Sequence, residues 1–263
     1  MPPLKDLLEI MFMGPGLVCI VVVLVGGGFS LAKRVRAHQA EVMARLTNEA
    51  TKLFAEGKLP DARAKAQEAV ELGQARTPRN TARAHFCLGR VLFRLGELQE
   101  AQTHLAKALE LDSDPHRKAL AAANLSMVLT RLGRAEEAVD HASEAVRVHD
   151  EEIREYPERI MRAGTGWANV ALSLALSAAG KDGVPAANKA LTIFDDLEVA
   201  DGLADAHLAK AHALQGKDIK AAFAEASEAH SRFSRLHAAI PGLYAERFAE
   251  SQKLLDTLGD EEW

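Results

Sequence analysis

The sequence predicts an all-α protein: a right-handed α-solenoid of about five helical hairpins with a C-terminal capping helix, preceded by one transmembrane helix. Three observations carry that prediction. Glycines stand at 57, 96, 133, 180 and 216, at intervals of 39, 37, 47 and 36 residues. Around each of them small and apolar residues fall at spacings of three and four, the period of a helix with one apolar face. The composition is rich in Leu and Ala with 5% aromatics, which suits packed helices better than a sheet.

Residues 1–9, MPPLKDLLE, form a short lead. From Ile10 to Ala32 the chain then runs 23 residues without a charge. About 20 apolar residues are what a bilayer core requires, so 10–32 is expected to be an uncleaved membrane anchor. A cleaved signal peptide fits less well. Lys5 is offset by Asp6 and Glu9, and the basic cluster follows the apolar run instead of preceding it. Lys33, Arg34 and Arg36 make 33–37 a basic juxtamembrane segment, and the side richer in Lys and Arg stays in the cytoplasm. Gly26/Ser30 and Gly28/Ala32 are small-xxx-small pairs, a contact through which a homo-oligomer could pack.

The repeats occupy 38–236. Counted from the turn glycine, the markers fall at −7, −4, +5, +9 and +12. Around Gly57 they are Ala50, Leu53, Ala62, Ala66 and Ala69, and around Gly96 they are Gly89, Leu92, Ala101, Leu105 and Ala108. Around Gly133 they are Ser126, Leu129, Ala138, Ala142 and Ala145. The last two copies slip by one residue after the glycine: Ala186, Ala190 and Ile193 follow Gly180, and Ala222, Ala226 and Ala229 follow Gly216. Both carry a Gly-Lys-Asp turn, so the extra residue is assigned to the loop. A helix that ends on such a glycine uses its freedom to adopt φ > 0. Asp112-Ser113-Asp114-Pro115 offers a cap and a first-turn proline to the third hairpin. The 47-residue interval after Gly133 reads as a longer helix pair. Residues 237–258 form the capping helix, with Leu243, Phe248, Leu254 and Leu255 on one side, and 259–263 is an acidic tail.

Residues 88–112, LGRVLFRLGELQEAQTHLAKALELD, resemble a tetratricopeptide repeat (TPR), keeping its Leu-Gly, Gly, Ala and Ala landmarks. Residues 123–148, ANLSMVLTRLGRAEEAVDHASEAVRV, resemble the longer repeats of kinesin-light-chain-like bacterial TPR proteins. The resemblance implies a non-enzymatic scaffold or adaptor at the cytoplasmic face of a bacterial inner membrane, held there as a single-pass membrane protein. The alternative is an envelope assembly or translocon-associated quality-control factor with its repeats outside the cytoplasm. In TPR arrays the first helices of successive hairpins line a concave groove where peptides lie. In this frame the groove positions are Asn48 and Thr51, then Arg83, Cys87, Arg90 and Arg94, then Leu120, Asn124, Met127 and Arg131, and finally His207 and Lys210. The resemblance gives Asn48 and Asn124 the role of holding a peptide backbone. An arginine-rich groove pairs with carboxylates, so the expected partner is a protein or peptide, acidic in character. The competing reading has these arginines paired with Glu97, Glu100 or acids on the next repeat.

Other chemistries find little footing. A net charge of −5 does not fit a nucleic-acid partner. Cys19 and Cys87 make no disulfide framework, and there is no CxxC. No phosphate-cradling, nucleophile-elbow or HExxH motif occurs, and none of the ten histidines is spaced i, i+4 from another. No enzyme, cofactor or metal is expected.

Overall fold

The computed structural model describes residues 34, 37–73, 78–155 and 159–260, and the regular elements among them are all helices. These are α1 (37–55), α2 (Leu59–Gly73), α3 (Pro78–Arg94), α4 (Leu98–Leu111), α5 (Pro115–Arg131) and α6 (Ala135–Glu155). They continue as α7 (Arg159–Ala178), α8 (Val184–Leu197), α9 (Ala200–Leu214), α10 (Ile219–Ala239) and α11 (Pro241–Gly259). The first ten pair as hairpins α1/α2, α3/α4, α5/α6, α7/α8 and α9/α10, each packed on the next, and α11 follows.

The turn glycines do what the spacing predicts. Gly57, Gly96, Gly133, Gly180 and Gly216 all have positive φ, between 70° and 80°. In the second hairpin Glu97 N–H donates to Leu92 O at 2.9 Å and Gly96 N–H to Phe93 O at 3.1 Å, the paired bonds of a Schellman cap. The same pair closes the turns at Gly57, Gly133 and Gly180. After Gly180 and Gly216 the second helix starts later, at Val184 and Ile219, so the extra residues do lie in the loop. Asp114 caps α5, its carboxylate accepting from Arg117 N–H at 3.2 Å, with Pro115 in the first turn. The long interval holds a 21-residue α6 and a 20-residue α7.

Between helices lie the markers. Ala50, Ala62, Ala66, Ala69, Ala101, Leu105, Ala138, Ala142, Ala145, Ala222, Ala226 and Ala229 are all fully buried. Gly89 shows why small residues are needed, since a Cβ there would stand 2.7 Å from Leu105 Cγ. The fourth hairpin departs from its expected frame. Ile193 is only half-buried, and Phe194 takes the inner position beside Ala187 and Ala190. Its ring fits because the facing helices carry glycine: a Cβ at Gly166 would lie 2.6 Å from it and one at Gly202 2.5 Å.

The expected membrane placement is corrected. Among the described residues no helix is long and apolar enough to cross a membrane. The physical reason is that the solenoid helices carry charges along a wet face, as Glu136, Glu137, Glu144, Arg147 and Glu151 do on α6. The localisation as a single-pass protein of the bacterial inner membrane, and the membrane as partner, are therefore set aside. The proposed span at 10–32, with its small-residue pairs, lies outside the described residues, as do the lead 1–9 and the last three residues of the tail.

Candidate binding groove

The first helices α1, α3, α5 and α7 present their side chains to two adjoining cavities. One, of ≈ 210 Å³, lies among α1, α3 and α5, with Thr51, Arg83, Cys87 and Leu120 in its wall. A deeper one, of ≈ 240 Å³, adds Arg94, Asn124, Met127 and Trp167. Phe54, Phe86, Arg90 and Leu120 border both. A third cavity, of ≈ 340 Å³, lies toward Met127 and Arg131.

Arg90 is half-buried, its guanidinium carbon 4.8 Å from the Phe54 ring centre and 5.6 Å from that of Phe86. Such stacking holds a planar cation without neutralising it. Arg94 follows one helical turn later in the deeper cavity. Among the described residues neither has a carboxylate at ion-pair distance. Burial lowers the pKa of both, and the like charge of Arg247 adds to the effect at Arg94. Asp201 and Asp205 line the same cavity and, with Glu246, pull the other way, so the two guanidinium groups are partly dehydrated and partly balanced by carboxylates beyond ion-pair distance.

Arg131 is placed differently. Its guanidinium donates to Glu246 at 2.6 Å and reaches Glu250 at 3.5 Å, both on α11, and lies 5.0 Å from the Phe93 ring centre. Arg247 of the same helix is 3% exposed. It stands 3.1 Å from Asp205 without an aligned hydrogen bond and donates to Glu250 at 2.8 Å. Burial works against its charge, but Asp205 and Glu250 outweigh it and hold the guanidinium pKa above its ordinary value. Glu250 is likewise held well below the carboxylate range, where burial is outweighed by Arg247, His212 and Arg131.

The other expected positions divide. Asn124 lines the deeper cavity, with its amide N–H donating to Leu120 O at 2.8 Å. Met127 borders two cavities. Asn48 and Arg83 are exposed at the rim, joined by a 3.3 Å hydrogen bond. Lys210 and His207 are not brought to the cavities: Glu225, on their own hairpin, holds them at 2.7 and 2.6 Å. Nor do Glu97 and Glu100 pair with the groove arginines, because Arg63 takes them at 2.7 and 3.6 Å. Sequence reasoning missed Asp205, Glu246, Arg247 and Glu250. Their one signal was the charge pattern at 246, 247 and 250, which reads equally well as a wet helix face.

The tetratricopeptide repeat family model matches residues 80–151, which span α3 to α6. No curated protein matches the chain. Among solved structures it is similar to a Rap protein complexed with Competence and Sporulation Factor, with a TM-score of 0.55 and 16% identity over 84% of this chain and 78% of that one. It is similar to the apo form of RapI, with a TM-score of 0.57 and 14% identity over 84% and 85% of the two chains. Kinesin-light-chain TPR-like repeats from Podosopora anserina give a TM-score of 0.52 and 16% identity over 77% and 95%. At these identities the likeness is one of fold. The described residues form an all-helical, TPR-like solenoid, and a tetratricopeptide-repeat match covers residues 80–151 of it.

Proposed function

We propose that this protein is a non-enzymatic binding scaffold whose groove takes an acidic, carboxylate-bearing segment of a protein or peptide. The observation that supports this most directly is the pair Arg90 and Arg94, without ion-pair partners among the described residues, in a cavity walled by Phe54, Phe86, Phe93 and Trp167. Carboxylates would meet the guanidinium groups by charge-assisted hydrogen bonds, and an apolar side chain beside them would meet the rings. Asn124 adds an amide to the same wall. The fold lends support, since one of the similar solenoids is seen in complex with a bound factor.

The test uses the full chain and a fluorescein-labelled ten-residue peptide rich in Glu around one Phe, with a Lys-for-Glu peptide as control. The acidic peptide is expected to bind and the basic one not. Losing a hydrogen bond to a charged group costs about 1.5–3 kcal/mol, so Arg90→Ala with Arg94→Ala should weaken binding at least tenfold with the circular dichroism spectrum unchanged. Equal binding of the two peptides, or indifference to the double substitution, would remove the assignment.

A further inference from the structure

The deeper cavity carries charges of both signs. Of the groups in its wall, Arg247 and Asp205 answer each other at 3.1 Å. Arg90 and Arg94 of α3 and Asp201 of α9 remain, and among the described residues none of the three has an opposite charge at ion-pair distance. They do not close on one another because both sides are held in place. Arg90 lies against the Phe54 and Phe86 rings. Asp201 sits in the first turn of α9, where it accepts from the Gly202 N–H at 3.0 Å and from the Tyr244 hydroxyl.

Both of those donors are neutral, so the Asp201 carboxylate is hydrogen-bonded but not matched in charge. Burial and the charge of Asp205 hold its carboxyl above the usual carboxylate range, against smaller pulls from the backbone N–H groups and from Arg94. A cation brought beside it would stabilise the ionised form. Trp167 and Tyr244 line the same cavity, and the faces of such rings attract an ammonium group. The cavity of ≈ 240 Å³ also has the room, since an apolar void of about 150 Å³ already admits benzene. A purely acidic segment would satisfy the arginines and leave Asp201 facing a like charge. A segment with both signs would match both walls.

We infer that the ligand of this cavity is amphoteric, with a carboxylate taken by Arg90 and Arg94 and a primary ammonium a few bonds away taken by Asp201 against Trp167 and Tyr244. This rests on the groove reading of the preceding subsection and narrows it, from an acidic segment to one that carries an amine beside its acid.

The test is calorimetric titration of the full chain with versions of the Glu-rich peptide blocked at both ends. In one series a single glutamate, two, three or four positions from the Phe, is replaced by Lys. In the control series the same glutamate is replaced by Gln. At least one Lys peptide is expected to bind fivefold or more tightly than its Gln counterpart. Acetylating that lysine keeps its length and removes its charge, and should erase the gain. Asp201→Asn, with an unchanged circular dichroism spectrum, should erase it as well. A gain confined to a lysine-free version with an unblocked amino terminus would assign the ammonium to a chain end. Lys and Gln peptides that bind alike, with no gain from a free amino terminus, would overturn the inference and leave the groove reading standing. So would a gain that survives either the acetylation or Asp201→Asn. If no version binds, the groove reading itself falls, and the inference with it.

Discussion

His149 is fully buried between α6 and α7, and among the described residues neither ring nitrogen has a hydrogen-bond partner. A Cβ at Gly164 would lie 2.8 Å from its Cε1, His116 meets it edge-on with ring centres 4.9 Å apart, and Asp150 is the next residue along the helix. Burial, then the His116 ring, push its pKa from 6.5 down to about 4, against a smaller opposing pull from Asp150. The sign follows from where the proton binds. Below pH 6.5 the unfolded chain takes it up and the folded chain does not until about pH 4, so stability is full above 6.5 and falls as the pH drops through that window. The loss is about 3 kcal/mol for this one residue. His149→Leu should keep the stability at neutral pH and flatten its decline between pH 6.5 and 4, read from urea midpoints across the range. An unchanged pH slope would show that His149 is not the titrating group. The sequence marks this histidine only as one of ten, because its burial depends on α7 folding back with a glycine against it. Spacing within a single helix cannot reveal that. Phe194 is a second case, since the glycines that admit its ring, Gly166 and Gly202, lie 28 residues before it and 8 after it in the chain.

At the scale of the element, much more was legible, because a hairpin is a local object. Gly96 fixes the turn through its own backbone: a Cβ there meets nothing within 4 Å, so φ alone selects glycine. Ala101 and Ala108 follow as contact residues, and both are buried against neighbouring helices. Replacing Ala101 or Ala108 with Leu would overpack that seam at a cost of about 1–3 kcal/mol. Since each repeat couples to its neighbours, the damage should centre on α1 to α6. Thermal unfolding that is unchanged in both variants would mean that the seam lies elsewhere. The groove arginines were legible by the same logic, as positions 90 and 94 share a face of α3 with 83 and 87. What they pair with was not, because Glu97 lies near in sequence but belongs to Arg63 in space.

Across the whole molecule the decisive contacts join residues more than a hundred positions apart. Arg131 and Glu246 are separated by 115 residues, and no repeat period predicts their meeting. Period fixes which helices are neighbours. Whether the last helix meets the first depends on the small rotation between successive hairpins, summed over the array. Here the sum brings α11 against the first turn, where Gly242 packs on the Gly57 carbonyl so closely that a Cβ would have to push one of them aside. Gly242→Ala should therefore loosen both ends together. The expected result is faster hydrogen exchange at 241–245 and in the turn around Gly57, with α4 to α7 unchanged, and a stability loss of about 1–3 kcal/mol. Gly96→Ala is the informative control. It strains only its own turn, at about 1–2 kcal/mol, and should leave exchange at 241–245 as it was. Faster exchange confined to α11, with the Gly57 turn unaffected, would mean that the two ends touch without supporting one another. Coupled loosening would show that the last helix completes the solenoid as a closing member, fixed along its length to the fifth hairpin and resting its first turn on the first.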